Sequence, residues 1–233
     1  MDLSGLNIPL IAIKFVLLLL SLTVHEMAHA WSASHFGDQT ARLLGRVSLN
    51  PLPHIDPIGT VLFPLLGMLA PNLPVLGWAR PVPVNPANLK RPRSMVMWIS
   101  AAGPLSNLAL AGGFLTILAV SSRAGLAAPS PYVWEVAGDL PSSALAAVLK
   151  LGFLTNVMLA FFNLLPIPPL DGGGVLAGLL PQRMGEAIEG FGRFGFLVLM
   201  ALILIPVGPM NLLSWILHPV IMGAQLALTL SLR

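Results

Sequence analysis

Long apolar runs separated by short polar punctuation dominate this chain. The first runs from Ile8 to about Phe36 and is interrupted near its start by Lys14. Met95–Val120 follows with no charge, and a third run extends from about Ala144 to Leu165. From Phe194 to Leu232 there is again no charge, but Pro206-Val207-Gly208-Pro209 breaks the run. A spanning helix needs about 20 predominantly apolar residues. The pattern therefore predicts three spans, then two more on either side of the Pro/Gly break, the first of these beginning near Glu186. Ile58–Ala70 is apolar but short and rich in Pro and Gly, which suits a re-entrant or broken segment. Pro81-Val82-Pro83-Val84-Asn85-Pro86 cannot be helical, and its alternation suits an extended strand or edge hairpin.

Composition sharpens this picture. Only 9% of the 233 residues are charged and the mean hydropathy is +0.85, against about 25% charged residues in an ordinary soluble domain. So few charges cannot furnish a water-facing surface, and the lipid bilayer becomes the main partner. The fold class expected is an all-α polytopic membrane protein. It has five to six transmembrane or re-entrant segments and a short membrane-associated β element. A single domain covers 1–233, with a core over 8–180 and additional C-terminal helices over 186–233. There are no cysteines, which excludes disulfides, thiolate zinc sites and a cysteine nucleophile. The net charge of +3 is scattered rather than clustered, so no nucleic-acid partner is expected. The first apolar run continues into a histidine motif, which argues against a cleavable signal peptide.

The basic residues map the topology. If Ile58–Ala70 dips in and returns, Arg42, Arg46, Arg80, Lys90, Arg91, Arg93, Arg183, Arg193 and Arg233 fall on one side. Only Lys14, Arg123 and Lys150 fall on the other, beside an outer loop at Tyr132–Asp139 that carries Glu135 and Asp139. Basic residues favour the cytoplasmic side, so the N-terminus is expected outside and the C-terminus inside.

The candidate chemistry lies in the first span, at His25-Glu26-Met27-Ala28-His29. Helix positions i and i+4 share a face, so both imidazoles can reach one metal, and Glu26 is placed to take a proton from a water there. H-E-x-x-H also arises by chance in helices. Here three ionisable groups lie within an apolar span, where they are costly without a partner. Catalytic zinc sites have three protein ligands and an open position. His35 falls off the His25/His29 face. Asp171, in Asn163-Leu-Leu-Pro-Ile-Pro-Pro-Leu-Asp171-Gly-Gly, is the strongest candidate for the third ligand, with Gly172–Gly174 allowing close backbone approach. The plainer alternative for Asp171 is a helix N-cap. Asp56, in His54-Ile55-Asp56-Pro57, is the alternative third ligand and better suits a turn before Pro57. His218, beside Pro219, suits an interfacial or satisfied histidine, and the Met and Trp residues suit lipid or packing contacts.

Together these residues resemble the site-2 proteases, zinc metalloproteases that cut within or near membrane spans. The resemblance covers nearly the whole chain. It rests on His25–His29, on Asn163 through Gly172, and on two supporting stretches. One is Gly45-Arg46-Val47-Ser48-Leu49-Asn50-Pro51 with His54–Pro57; the other is Gly77–Pro86 leading to Ala102-Gly103-Pro104-Leu105-Ser106-Asn107. It is closest to the minimal branch, because many relatives carry a helix before the histidine helix or an appended PDZ or CBS domain, and only 24 residues precede His25.

The resemblance implies one catalytic zinc ion (Zn2+) held by His25, His29 and Asp171. Glu26 is then the general base and later the proton donor to the leaving amine. Asn163 is implied to hydrogen-bond the substrate carbonyl, although a buried helix–helix hydrogen bond would also explain it. Val82, Pro83 and Val84 are implied to pair with an unwound substrate, and Asn107 to join this substrate-binding set or support the site. The implied partner is a single-span membrane protein such as an anti-sigma factor or membrane-anchored regulator. The implied setting is a prokaryotic inner membrane with the site toward the cytoplasm. A metal-ion transporter or channel remains the alternative, since intramembrane His and Asp also mark ion paths; a transporter has no need of Glu26 as a base.

Overall fold

The first long helix starts where the sequence places a cap. Asn7 Oδ1 accepts the Leu10 N–H at 3.0 Å and Pro9 lies in the first turn, so α1 runs Ile8–His35. A short α2 (Thr40–Leu43) follows. Asp56 then accepts the N–H groups of Ile58 and Gly59 and caps a wide π-type turn, Pro57–Leu62, which passes into α3 (Phe63–Leu69). Next come α4 (Pro92–Arg123), α5 (Pro141–Asn163), α6 (Asp171–Leu179) and α7 (Gln182–Phe191). A single 3-10 turn leads into α8 (Gly195–Leu204), and α9 (Leu212–Ser231) ends the fold. This computed structural model describes residues 7–69, 75, 77–127 and 141–232. The loop expected at Tyr132–Asp139, Ala70 at the end of the apolar dip, and Arg233 lie outside the described residues.

Five helical segments are long and apolar enough to cross a membrane: Ile8–His35, Pro92–Arg123, Ala144–Asn163, Gln182–Leu204 and Leu212–Ser231. These match the predicted spans. The 13 residues of Pro57–Leu69 rise about 20 Å at 1.5 Å per residue, short of a hydrocarbon core of about 30 Å. The segment is thus too short to cross as one helix, as expected of a re-entrant or broken segment.

The β element lies elsewhere than the sequence suggested. Among the described residues the only sheet is a two-stranded antiparallel hairpin, β1 (Pro206–Val207) with β2 (Met210–Asn211). It occupies the predicted break between the last two spans, and Gly208 turns it at φ +62°, a conformation a side chain would strain. Asn211 then caps α9 by accepting from Ser214 N at 2.8 Å.

The centre of the fold is α4, which packs on α1, α5 and α6. One apolar cluster joins α4, α5 and α9 through Ala111, Leu118, Leu149, Phe153, Val157 and Leu228. A second joins Ala33, Leu89 and Ile99, with Val84 packed against it. Between α3 and α4 the chain forms a strap over residues 77–88. Trp78 exchanges hydrogen bonds with Gly59 O (3.0 Å) and Thr60 Oγ1 (2.8 Å), and Arg80 N donates to His54 O at 2.8 Å. Buried Arg46 donates to the carbonyls of Arg80 and Pro81. Val82, Pro83 and Val84 form no ladder and make no backbone hydrogen bonds among the described residues.

The far end of the strap is tied down by Asp38, which has no exposed surface. Its carboxylate accepts from Thr40 Oγ1 (2.5 Å), Thr40 N (3.1 Å), Asn85 N (2.7 Å) and Asn88 Nδ2 (2.8 Å). Burial works to raise the Asp38 pKa, but the hydrogen bonds from Thr40, Asn88 and Asn85 outweigh it and hold the carboxyl below its ordinary value. A depressed carboxylate contributes stability above its unfolded pKa of about 3.9, and that stability is lost as pH falls through the folded value. Asp38→Asn is therefore expected to destabilise the protein by about 2 kcal/mol at pH 7. Thermal unfolding in detergent should show that gap closing as pH drops below about 4.

Candidate metal centre

On α1 the buried polar positions Ser21, His25 and His29 recur every four residues and so share one helical face. His25 and His29 are 3% and 7% exposed and point their Nε2 atoms at each other, 3.1 Å apart. Asp171, the first residue of α6, completes the group. Its Oδ2 lies 3.0 Å from His25 Nε2 and its Oδ1 3.3 Å from His29 Nε2. All three side chains can offer a ligand atom to one ion.

The sequence left Asp171 open as a helix N-cap. It does stand in the first turn of α6, but its side chain caps nothing. It turns instead toward the histidines. This is possible because α6 starts flat against the preceding loop: a Cβ at Gly172 would fall on the carbonyl oxygens of Leu164 and Leu165. Asp56 is the cap of the Pro57 turn and does not join the histidine group. His35 stacks on Trp31 at the end of α1.

The hydrogen bonds behind the two rings establish what faces inward. His29 Nδ1 lies 2.7 Å from Ile99 O, a carbonyl that can only accept, so Nδ1 carries a proton. His25 Nδ1 lies 2.6 Å from Asn107 Oδ1. In neutral rings this leaves both Nε2 atoms as bare lone pairs. Two N–H groups cannot face each other at 3.1 Å, so at most one proton fits between them. Asp171 Oδ2 is buried and makes no hydrogen bond among the described residues despite its nearness to His25. Three buried acceptors that converge with no donor among them call for a cation. Two imidazoles and a carboxylate, with outer nitrogens anchored on oxygens, suit a zinc-type ion.

Helix α4 approaches this centre without a side chain. A Cβ at Gly103 would fall on His29 Nε2 and His25 Nε2. Pro104 follows, fully buried, and has no N–H to continue the helix ladder. The sequence placed Gly103 in a supporting stretch only. Its role depends on the α1–α4 crossing, which no local signal reports.

The remaining candidate residues take distinct places. Glu26 is buried at 9% exposure on the same helix as the histidines. Asn163 ends α5 and donates Nδ2 to Leu159 O at 2.9 Å. Asn107 has no exposed surface; its Oδ1 faces His25, and its Nδ2 donates to Ser21 O (3.3 Å) and Asn156 Oδ1 (2.8 Å). It therefore stands behind His25. Val84 packs against the apolar cluster that includes Ile99, whose carbonyl anchors His29. Asn156, Arg46 and Asp38 were missed as site supports. Arg46 was read as a topology charge and as part of a supporting stretch, not as a tie for the strap, and nothing in the sequence distinguishes Asn156 from any other helix polar residue.

Comparison with known proteins bears on this centre. The family model described as "Peptidase family M50" matches residues 13–206. A Bacillus subtilis protein named "Putative zinc metalloprotease YwhC" is 37% identical over 208 residues, which cover 88% of this chain and 84% of that protein. A Mycolicibacterium smegmatis protein named "Putative zinc metalloprotease Rip2" is 33% identical over 188 residues, covering 81% of this chain and 65% of that protein. The Mycobacterium tuberculosis protein of the same name is 30% identical with the same coverage. This chain thus spans just under two thirds of the mycobacterial relatives. No solved structure matches it.

The glycine at the helix crossing gives a direct check. Gly103→Ala should lower metal affinity by about 100-fold, read as metal content of the purified protein. Gly112→Ala in the same helix, where a Cβ meets nothing within 4 Å, should leave metal content unchanged.

Proposed function

This chain belongs to peptidase family M50, and from that premise we propose that it is an intramembrane zinc endopeptidase that cuts membrane-protein substrates in or near their spanning segments. The observation that carries the reading is the convergence of buried His25 and His29 with half-buried Asp171, whose Oδ2 is buried and unpaired among the described residues. The membrane metalloprotease character follows from the family, the relatives' names and the five apolar helices.

In this reading one zinc ion is held by His25, His29 and Asp171. Zinc supplies Lewis acidity there: it acidifies water to a pKa of about 7 and polarises a peptide carbonyl. The protein's own groups do the rest. Glu26, one residue from His25 on α1, takes the proton of the attacking water and returns it to the leaving amine. Burial keeps bulk water from competing for that proton. Asn163 closes α5 just before the loop that delivers Asp171, and one of its N–H groups is assigned to the carbonyl oxygen as charge develops on it. Asn107 is assigned to His25 rather than to substrate, because its hydrogen-bonding capacity is filled by protein partners.

A helical peptide bond is shielded by its own hydrogen bonds, so the substrate must unwind to be cut. The strap at Val82, Pro83 and Val84 supports this step. Its backbone is unpaired among the described residues, and Val84 packs against the cluster that contains Ile99, whose carbonyl anchors His29. An unwound segment can pair with such an edge. The distribution of Arg and Lys favours a cytoplasm-facing site in a prokaryotic inner membrane. We take the substrates to be single-span membrane proteins, such as an anti-sigma factor or another membrane-anchored regulator, delivered from the lipid.

Glu26→Gln separates the base from the ligands. Cleavage of a model single-span substrate in detergent or proteoliposomes should fall by at least about 100-fold while zinc content is retained. Cleavage that persists with zinc bound would sink the mechanism.

A further inference from the structure

We propose that Asn156, on α5, is a positioning residue for the metal centre: it sets the amide orientation of Asn107 and thereby the ring tautomer of His25. The proposal rests on the zinc reading above. It starts from a buried chain of hydrogen bonds whose direction is fixed at its far end. Asn156 has no exposed surface and contacts Gly152 O at 2.8 Å, a carbonyl that can only accept. The amide end at Gly152 is therefore Nδ2, which also reaches Ser21 Oγ at 2.9 Å. That turns Asn156 Oδ1 toward Asn107, 2.8 Å away, where it must be met by a donor.

Asn107 is thus obliged to present Nδ2 to Asn156, and a second acceptor-only group, Ser21 O at 3.3 Å, agrees. Asn107 Oδ1 is left facing His25 Nδ1 at 2.6 Å, so Nδ1 holds the proton and Nε2 is a free lone pair aimed at the ion. Reversing Asn107 would reverse His25. Its Nδ1 would become the acceptor, and the ring N–H would occupy the direction in which a metal must bind. Of the two groups that prevent this, Ser21 O is the longer contact, so Asn156 provides the stronger constraint. His29 needs no such relay because its Nδ1 donates directly to a backbone carbonyl. The relay joins α5 to the ligand helix α1 through α4.

The test uses the full-length protein in detergent, with zinc affinity measured by competition against a chromophoric chelator. Asn156→Leu is expected to raise the zinc dissociation constant about tenfold. Asn156→Asp should stay within about threefold of wild type, since a buried protonated carboxyl accepts with one oxygen and donates with the other. Because Asn156 acts through Asn107, the double variant with Asn107→Leu should bind zinc no more weakly than Asn107→Leu alone. In the metal-free wild type, 15N shifts of the His25 ring should report the Nδ1–H tautomer. An unchanged affinity in Asn156→Leu, multiplicative losses in the double variant, or a predominant Nε2–H tautomer would each overturn the relay. If Asn156→Leu does not fold, a tenfold loss in Asn156→Asp or the wrong wild-type tautomer overturns it, and their opposites support it. A wild type that takes no zinc sinks the metal reading instead, and the His25 tautomer in wild type against Asn156→Leu still decides the relay.

Discussion

Three lone-pair groups, two buried imidazoles and a half-buried carboxylate, lie within 3.3 Å of one another and organise this molecule. In a medium that solvates charge poorly, a carboxylate facing two unprotonated imidazoles is strongly unfavourable by itself. The fold around it makes sense as a means of holding the three ligand atoms still for a cation. Small residues sit where helices must come close: Gly103 brings α4 onto the imidazoles, and Gly172 lets α6 start against its own preceding loop. A larger residue at Gly103 would displace the ring nitrogens themselves. The position of α4, and with it the core it shares with α5 and α9, is coupled to the geometry of the metal centre.

The same constraint explains the polar residues inside an otherwise apolar bundle. Among spanning helices the hydrophobic effect gives no preference for helix over lipid, so packing and interhelical hydrogen bonds set the register. Ser21, Asn107 and Asn156 are fully buried and linked to one another, and they meet where α1, α4 and α5 cross. A one-residue slip of any of these helices would leave several polar groups without partners in a dry interior. Outside the bundle the strap obeys the same rule. Arg46 and Asp38 hold its two ends, and its middle is left without backbone partners among the described residues.

How much of this could be read from the sequence depends on the range of the interaction. The spans were legible because length and hydropathy are local, and α1, α4 and α5 lie where the apolar runs put them. The His25–His29 pair was legible because a four-residue spacing on one helix is also local. Asp171 needed more, because its 142-residue distance from His29 carries no periodic signal (171 − 29). It stood out only as a carboxylate beside a Pro/Gly break in an apolar context. The expected β element at Pro81–Pro86 was half right in kind: the stretch is extended up to Asn85, but it has no strand partner among the described residues, and the hairpin formed at Pro206–Asn211. Composition shows where a helix cannot form but leaves open which segment will pair. Gly103 and Asn156 lay beyond sequence reading because their meaning arises only at a helix crossing.

The transporter alternative turns on what anchors the donors. An ion in transit needs sites that bind it and then release it, so ligands must exchange or move. Here each imidazole is fixed from behind, His29 by a backbone carbonyl and His25 by Asn107, itself held by α1 and α5. Asp171 is set by the first turn of a helix packed on both its preceding loop and α4. Moving either imidazole would break a buried hydrogen bond that the membrane interior cannot readily replace. Such fixity suits a resident ion whose work depends on constant geometry. It also gives Glu26 a purpose, because a buried carboxylate one residue from a ligand adds nothing to passage but is well placed to handle a proton beside a stationary Lewis acid. The peptidase family to which the chain belongs and the rigidity of its centre therefore lead to the same reading, from independent observations.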